Sequence, residues 1–141
     1  MHIVLDTNVL VSALLSQRGA SYKILSLLRS NKFELHLSVP LVCEYEDVLK
    51  RSEAAYTISL THDEIDALLD IICDLGIQHK VWYLWRPMLT DPKDDFIAEL
   101  AITAHVNYVV THNVSHFKNL AQYGIPAVSP KEFLGIIGEL S

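Results

Sequence analysis

The sequence predicts an α/β fold with a mostly parallel central sheet and helices on both faces. Short apolar runs alternate with stretches of helical apolar spacing along the whole chain, and no internal repeat or low-complexity tract interrupts the alternation. The chain has 141 residues, and 50% of them are hydrophobic. That length gives room for one domain with a proper core, and we therefore expect residues 1–141 to form a single domain.

Composition narrows the class of protein. The formal net charge of -6 has the wrong sign for a protein that holds nucleic acid by a basic surface, so a polyanionic substrate needs local Lys and Arg or bound cations. Cys43 and Cys73 are isolated, as expected of reduced thiols. No apolar run approaches the roughly 18 residues that span a bilayer, and no basic leader opens the chain. We expect a cytoplasmic protein that does not enter a membrane.

The first apolar run, residues 3–5, predicts a buried strand that ends at Asp6. Helical spacing resumes at Val9, which places Thr7 and Asn8 in a strand-to-helix turn where short polar side chains cap the helix. The tripeptide is also compatible with a turn and a cap and nothing more. In open α/β sheets, however, sites form beyond the carboxyl ends of the strands, and Asp6 lies there.

The next elements place a second acid. Ser21 is suited to cap a helix, and Glu34–Ser38 alternates polar and apolar residues as a short strand does. Pro40 suits the first turn of a helix that runs to about Lys50. Glu44 lies on the apolar face of that helix, where a hydrophobic residue is expected.

A third acid follows in the second half of the chain. Thr61 opens a capping box for a helix that Gly76 ends, and residues 77–84 resemble a strand. Asp91 is suited to cap the next helix. Asp94 lies one turn before the buried residue Ile97 and extends its apolar stripe towards the sheet.

The last third of the chain adds two strands. Residues 106–110 form an apolar run that the polar turn 111–116 follows. Residues 124–128 predict a final short strand, and Ser129 opens a second capping box for the C-terminal helix.

Asp6, Glu44, Asp94 and the turn from Thr111 to Asn113 all fall beyond predicted strands or on the first turns of the following helices. In a parallel sheet those ends share one edge. Three neighbouring carboxylates repel one another unless a cation neutralises them, and hard oxygen ligands favour Mg²⁺ or Mn²⁺. The expected chemistry is metal-assisted hydrolysis of a phosphodiester.

Four segments resemble those of the PIN-domain nucleases, in the bacterial toxin-like (VapC-like) branch. They are IVLDTNVLVSALL, SVPLVCEYEDVL, DPKDDFIAELA and YVVTHNVSHF, which follow the family's order and spacing over nearly the whole chain. The resemblance implies a three-layer α/β/α sandwich with a mostly parallel central sheet, whose acidic cluster binds Mg²⁺ or Mn²⁺ and cleaves RNA. It also implies a small antitoxin protein as a partner, and a homodimer.

By position, Asp6 matches the first acid of the family and Glu44 the second, with Glu46 as a nearby competitor. Asp94 matches the third acid. Asp95 is the weaker candidate, because it points roughly 100° away on the helix.

The fourth acidic position departs from the family. Where relatives often carry Asp, this chain has Asn113 and His116. Asn113 offers a carbonyl oxygen to a metal but adds no charge, and His116 is suited to a phosphate contact. Thr7, Asn8 and Thr111 are suited either to orient ligands, waters or substrate, or to serve as turn and cap residues.

Three alternatives remain at this point. The missing fourth acid favours a catalytically weak PIN-like module that binds RNA or a protein. An Asp after the first strand also occurs in receiver-like and phosphatase-like domains, but such a phosphatase needs a second Asp where this chain has Asn8. His112 and His116 have a spacing that suits zinc, although no third ligand is evidently placed to join them.

Overall fold

The central element is a sheet of five parallel strands in the order β3-β2-β1-β4-β5. The structure is a computed structural model that describes residues 1–51, 58, 60–81 and 95–139. The first strand of the chain lies at the centre of the sheet, between the second and the fourth. The strands are β1 (His2–Leu5), β2 (Glu34–Ser38), β3 (Ile77–His79), β4 (Tyr108–Val110) and β5 (Ala127–Val128).

Helices connect successive strands of the sheet. Two helices follow β1, and one ten-residue 3₁₀ segment, Val114–Tyr123, connects β4 to β5. The helices are α1 (Thr7–Leu15), α2 (Ala20–Ser26), α3 (Val39–Lys50), α4 (His62–Leu75), α5 (Asp95–Ala104) and α6 (Pro130–Ile136).

Both faces of the sheet are covered. Ile3, Val4 and Leu5 are all buried, although successive side chains of a strand point to opposite faces. Helix α5 packs against β1, β2, β3 and β4, and α2 packs against α1 and α6. The molecule is therefore a three-layer α/β/α sandwich, and the predicted fold class is confirmed.

The structure confirms several helix starts and strand bounds that the sequence predicts from neighbouring residues. The Thr61 and Ser129 capping boxes are both formed, with each hydroxyl accepting from the backbone N–H three residues on. The predicted strand Glu34–Ser38 is β2, and Pro40 lies in the first turn of α3. Ser38 caps that helix by accepting from the backbone N–H of Leu41. These signals involve neighbours within four residues, which is why the sequence shows them.

Two predicted caps are wrong. Ser21 does not cap α2, which begins at Ala20, and its buried hydroxyl instead lies 3.1 Å from His112 Nε2. Helix α1 begins at Thr7 with Asp6 as its N-cap residue, so Thr7 and Asn8 lie in its first turn and neither caps it. A tertiary partner has replaced the local hydrogen bond in both cases.

Glycine is required at position 76, the C-cap of α4, for a steric reason. Its φ of -83° is open to any residue, so the left-handed cap that glycine usually provides is absent. A Cβ at this position would lie 2.9 Å from the carbonyl oxygen of Ile72 and would overlap the buried side chain of Leu37. The close approach of α4 to β2 therefore requires glycine.

The predicted strand 77–84 is described over residues 77–81, where Ile77–His79 form β3 and Lys80 and Val81 lie beyond its end, so the predicted strand was too long. Residues 82–84, Asp91 and Asp94 lie outside the described residues. The predicted roles of the two acids therefore stay predictions. Within the described part of the chain, no helix is long and apolar enough to cross a membrane.

Candidate active site

Asp6 lies at the carboxyl end of β1, at the centre of the sheet. Its backbone N–H donates to the carbonyl oxygen of Val110 at 2.9 Å, which continues the pairing of β1 with β4 beyond the end of β1. Its side chain is 7% exposed, and Oδ2 accepts a hydrogen bond of 2.7 Å from the hydroxyl of Thr111. Thr111 is itself buried and follows β4 directly. The two neighbouring strand ends thus hold this carboxyl group in one orientation.

Burial raises the pKa of the Asp6 carboxyl above its ordinary value of 3.8, because the charged form loses its hydration. Hydrogen bonds from Thr111 and from the backbone of Asn8 and Thr7 oppose this effect, as does the nearby imidazole of His112. The loss of hydration is the largest of these influences. A cation beside Asp6 would offset that cost, so the carboxyl group fits a metal ligand.

Glu44 is connected to the same turn. It is half-buried on α3, and its Oε2 accepts a 2.7 Å hydrogen bond from the hydroxyl of Thr7. Because Thr7 directly follows Asp6, one turn of the chain orients the first two candidate acids. Thr7 therefore positions a carboxylate, which is one of the two roles left open by the sequence.

Tyr45 lies on α3 directly after Glu44, and its side chain points into the core. The side chain is fully buried, and its hydroxyl donates to the carbonyl oxygen of Leu5 at 2.5 Å. Burial raises the pKa of the Tyr45 phenol well above 10, and the charges of Asp6 and Glu44 raise it further. Both carboxylates are thus close enough to act on the same phenol. Tyr45 fixes α3 to the residue that precedes Asp6.

The turn after β4 completes this edge of the sheet. The backbone N–H of His112 donates to Asn8 Oδ1 at 3.3 Å, and that of Asn113 donates to the Thr111 hydroxyl at 3.0 Å. Asn113 and His116 are exposed. Asn8 therefore holds the turn against α1, and Thr111 connects the turn to Asp6.

The third acidic position is only partly described. Asp94 lies outside the described residues. Asp95 is the first described residue of α5 and is 1% exposed, so the prediction that it points away from the buried stripe is wrong. Glu99, one turn later, is 3% exposed and was not singled out, although an acid within the apolar run FIAELA is a signal that could have found it. Helix α5 packs against β1 and α3, the elements that precede Asp6 and carry Glu44.

Solvent reaches Glu44 through a groove of about 430 Å³ along α3. Arg51 also lines this groove and forms an ion pair of 2.7 Å with Asp47. Asp47 lines the groove as well, so the charge of Arg51 is partly balanced by a carboxylate there.

The family model for the PIN domain matches residues 2–115, a span that includes the β1 edge and the turn after β4. The chain belongs to the PIN domain family. PIN domains are in general nucleases, so this chain is a member of a nuclease family. No curated protein matches its sequence.

Solved structures share the fold of this PIN domain. VapBC2 from Rickettsia felis, bound to a DNA fragment from its promoter, contains a chain with a TM-score of 0.61 and 18% identity. The match covers 92% of this chain and 98% of that one. FitAB bound to the IR36 DNA fragment contains a chain with a TM-score of 0.63 and 17% identity, covering 91% and 94% of the two chains. At these identities the likeness concerns the fold.

Proposed function

We propose that this PIN domain is a Mg²⁺- or Mn²⁺-dependent endoribonuclease that hydrolyses RNA phosphodiester bonds. The observation that carries the proposal is the buried Asp6 carboxyl group, which Thr111 orients at the centre of the sheet edge beside the Thr7–Glu44 pair. Membership of a nuclease family supports it independently. We further propose that the domain is the toxin of a toxin–antitoxin pair and acts in the cytoplasm.

The donors of the site match the proposed metal. Asp6, Glu44 and Asp94 would hold the ion through carboxylate oxygens, and Asn113 would add an amide oxygen. Such oxygen donors are those that Mg²⁺ and Mn²⁺ prefer, and neither Cys lies in this set. A bound ion of this kind activates the attacking water and offsets the charge that develops on the phosphoryl group.

The protein's own contribution is to fix the acids before substrate binds. Thr111 donates to one oxygen of Asp6, and Thr7 donates to one oxygen of Glu44, so neither carboxylate rotates freely. The Asn8 amide holds the turn that carries Asn113. Pre-organised charge of this kind stabilises a transition state without reorganisation during the reaction.

Partners follow from the same proposal. Both solved structures of similar fold are two-component complexes of the toxin–antitoxin type bound to DNA, which supports a small antitoxin protein as the partner of this chain. We propose RNA as the substrate and a homodimer as the assembly. Because the chain carries a net charge of -6, binding of RNA then depends on bound cations and on local groups such as Arg51.

Cleavage of a mixed RNA by the purified chain tests the proposal, with Mg²⁺, Mn²⁺ or EDTA in parallel reactions. Glu44→Gln is expected to lower the rate by roughly 10²-fold, the scale of removing one pre-organised electrostatic group. Glu46→Gln is the matched control, since Glu46 lies on the same helix and is exposed. Cleavage that persists in EDTA, or an equal loss in both variants, would contradict the assignment.

The fourth acidic position favours a second candidate function. Asn113 is exposed and uncharged where an acid is expected, which fits a weak PIN-like module that binds RNA or a protein. If the missing charge limits catalysis, Asn113→Asp or His116→Asp is expected to raise the cleavage rate about tenfold, equivalent to about 1.4 kcal/mol. The rates of both variants are compared with that of the parent chain. Tight RNA binding with no cleavage by any of the three would support the binding module.

A further inference from the structure

Three histidines, His2, His36 and His79, form a row across β1, β2 and β3, away from the acidic edge. His36 Nε2 lies 2.8 Å from His2 Nδ1, and His36 Nδ1 lies 2.7 Å from His79 Nε2. Glu34 joins the first pair, with Oε2 at 3.3 Å from His2 Nδ1. His36 is 5% exposed, whereas the side chains of His2 and Glu34 are 46% and 56% exposed. The His36 ring is therefore buried, whereas His2 and Glu34 reach solvent.

Strand register explains why these side chains meet. His2 is paired with Glu34 across β1 and β2, and His36 lies two residues further on the same face of β2. On the other side, Ile77 is paired with His36, so His79 also shares this face. Three strands thus place their polar side chains together on one face of the sheet.

In this cluster, one proton serves two of the polar contacts. In the neutral form, each imidazole has one N–H and one acceptor nitrogen. A proton on His2 Nδ1 satisfies both Glu34 Oε2 and His36 Nε2, and it leaves His36 Nδ1–H to donate to His79. If that one shared proton is removed, lone pairs of His2 Nδ1, His36 Nε2 and Glu34 Oε2 are left close together.

We propose that His2 Nδ1, His36 Nε2 and Glu34 Oε2 form a binding site for a transition-metal dication, with Zn²⁺ as the best match. Ligand atoms at about 2.0–2.1 Å from a tetrahedral Zn²⁺ lie about 3.3 Å from one another. The three atoms already lie within 4.8 Å of one another. The shorter His2–His36 contact opens by about half an ångström, which the exposed His2 at the start of β1 permits.

His79 supplies the outer support that such sites usually have. A ligating imidazole commonly donates its second N–H to a fixed acceptor, which sets the tautomer of the ring. Here His79 Nε2 occupies that position at His36 Nδ1, and the two rings stack with centroids 4.9 Å apart.

This site differs from the acidic one in place and in chemistry. His2 and Glu34 lie at the N-terminal ends of their strands, whereas Asp6 follows β1 at its other end, about 13 Å along the strand. Two imidazoles and one carboxylate favour Zn²⁺, whereas carboxylates alone favour Mg²⁺ or Mn²⁺. The bound ion ties β1 to β2 and stabilises the folded chain, because the unfolded chain has no formed site.

Titration of the full chain with Co²⁺ and with Zn²⁺ tests the proposal, with the visible absorption of Co²⁺ as the readout for nitrogen ligands in a tetrahedral site. One equivalent is expected to bind with tetrahedral Co²⁺ absorption, and this binding is expected to raise the melting temperature. His2→Gln and Glu34→Gln are each expected to weaken binding by at least about tenfold, since even outer partners of a metal site contribute that much. Both residues are exposed at the surface, so neither substitution disturbs the core.

Two controls separate this site from others. His62→Gln removes an exposed histidine on α4 and is expected to leave the tetrahedral Co²⁺ absorption unchanged. Titration of the Asp6→Asn variant removes a ligand of the proposed acidic site, and the tetrahedral Co²⁺ absorption is expected to remain. Absence of tetrahedral Co²⁺ absorption in the folded chain would overturn the proposal, and so would unchanged affinity in both His2→Gln and Glu34→Gln. Because none of these measurements uses RNA cleavage, the result does not depend on the proposed nuclease activity.

Discussion

Replacement of Asp6 by Asn is expected to reduce RNA cleavage by about 10³-fold or more while leaving the chain folded and at least as stable. The activity falls because Asn contributes no charge to hold a cation at the centre of the site. Stability is kept because the Asn side chain still accepts a hydrogen bond from Thr111, as Asp6 does now.

The sign of the stability effect follows from the raised pKa of Asp6. The folded chain binds this proton more tightly than the unfolded chain, so the carboxyl group costs stability as the pH rises from about 3.8 through the raised value. Above that range the cost is fully present. In EDTA at pH 7, the melting temperature of Asp6→Asn is therefore expected to equal or exceed that of the parent.

Thermal melting and cleavage are measured on the same preparation. Asp74→Asn is a suitable control, because Asp74 is an exposed acid at the end of α4, beside the N-terminal end of β3, whereas Asp6 lies at the carboxyl ends of the strands. Cleavage within tenfold of the parent by Asp6→Asn would contradict a role for Asp6 in catalysis.

Replacement of Tyr45 by Ala is expected to cost roughly 3–5 kcal/mol of folding free energy, a large part of the stability of a domain this size. Tyr45 is fully buried, and its removal leaves a cavity between α3 and the end of β1. Chemical denaturation measures the loss, with the midpoint expected to fall and the slope to stay unchanged.

Tyr45→Phe separates packing from hydrogen bonding. It keeps the ring and removes only the hydroxyl that donates to Leu5, so a loss of about 1–2 kcal/mol is expected. If the two variants lose the same stability, the hydroxyl and not the ring accounts for the effect, and the cavity argument is wrong.

The sequence predicted those parts of the fold that depend on near neighbours. Three consecutive apolar residues indicated β1, and the capping boxes at Thr61 and Ser129 indicated the starts of two helices. Alternation along Glu34–Ser38 gave the correct bounds of β2. Each of these signals spans only a few residues, so no knowledge of the tertiary structure was needed.

The candidate site was predictable in outline because parallel strands end at one edge. Asp6 is hydrogen-bonded to Thr111 there, and Glu44 to Thr7, whereas the place of Asp94 and the roles of these acids stay predictions. The partners of individual side chains were not predictable: Thr7 donates to Glu44 and Ser21 contacts His112, across 37 and 91 residues. Local propensity favours caps for such residues, and tertiary contacts override it.

The contacts within the histidine cluster of His2, His36 and His79 were also not predictable from the sequence. The alternation in β2 placed Glu34 and His36 on one face, but their meeting with His2 depends on the register between β1 and β2. A shift of one residue would move these side chains to opposite faces. Periodicity within one strand does not say which residues of two strands are paired, so the sequence alone does not predict the contact between His2 and His36.

The central position of β1 has a consequence for synthesis of the chain. A strand made first acquires its second neighbour only when β4 has been made, and Asp6 is hydrogen-bonded to a threonine 105 residues later. A nascent chain that stops before residue 111 contains Asp6 and Glu44 but lacks the hydroxyl that orients Asp6. The order of translation therefore delays assembly of this edge until Thr111 has been made, and shorter products are left without it.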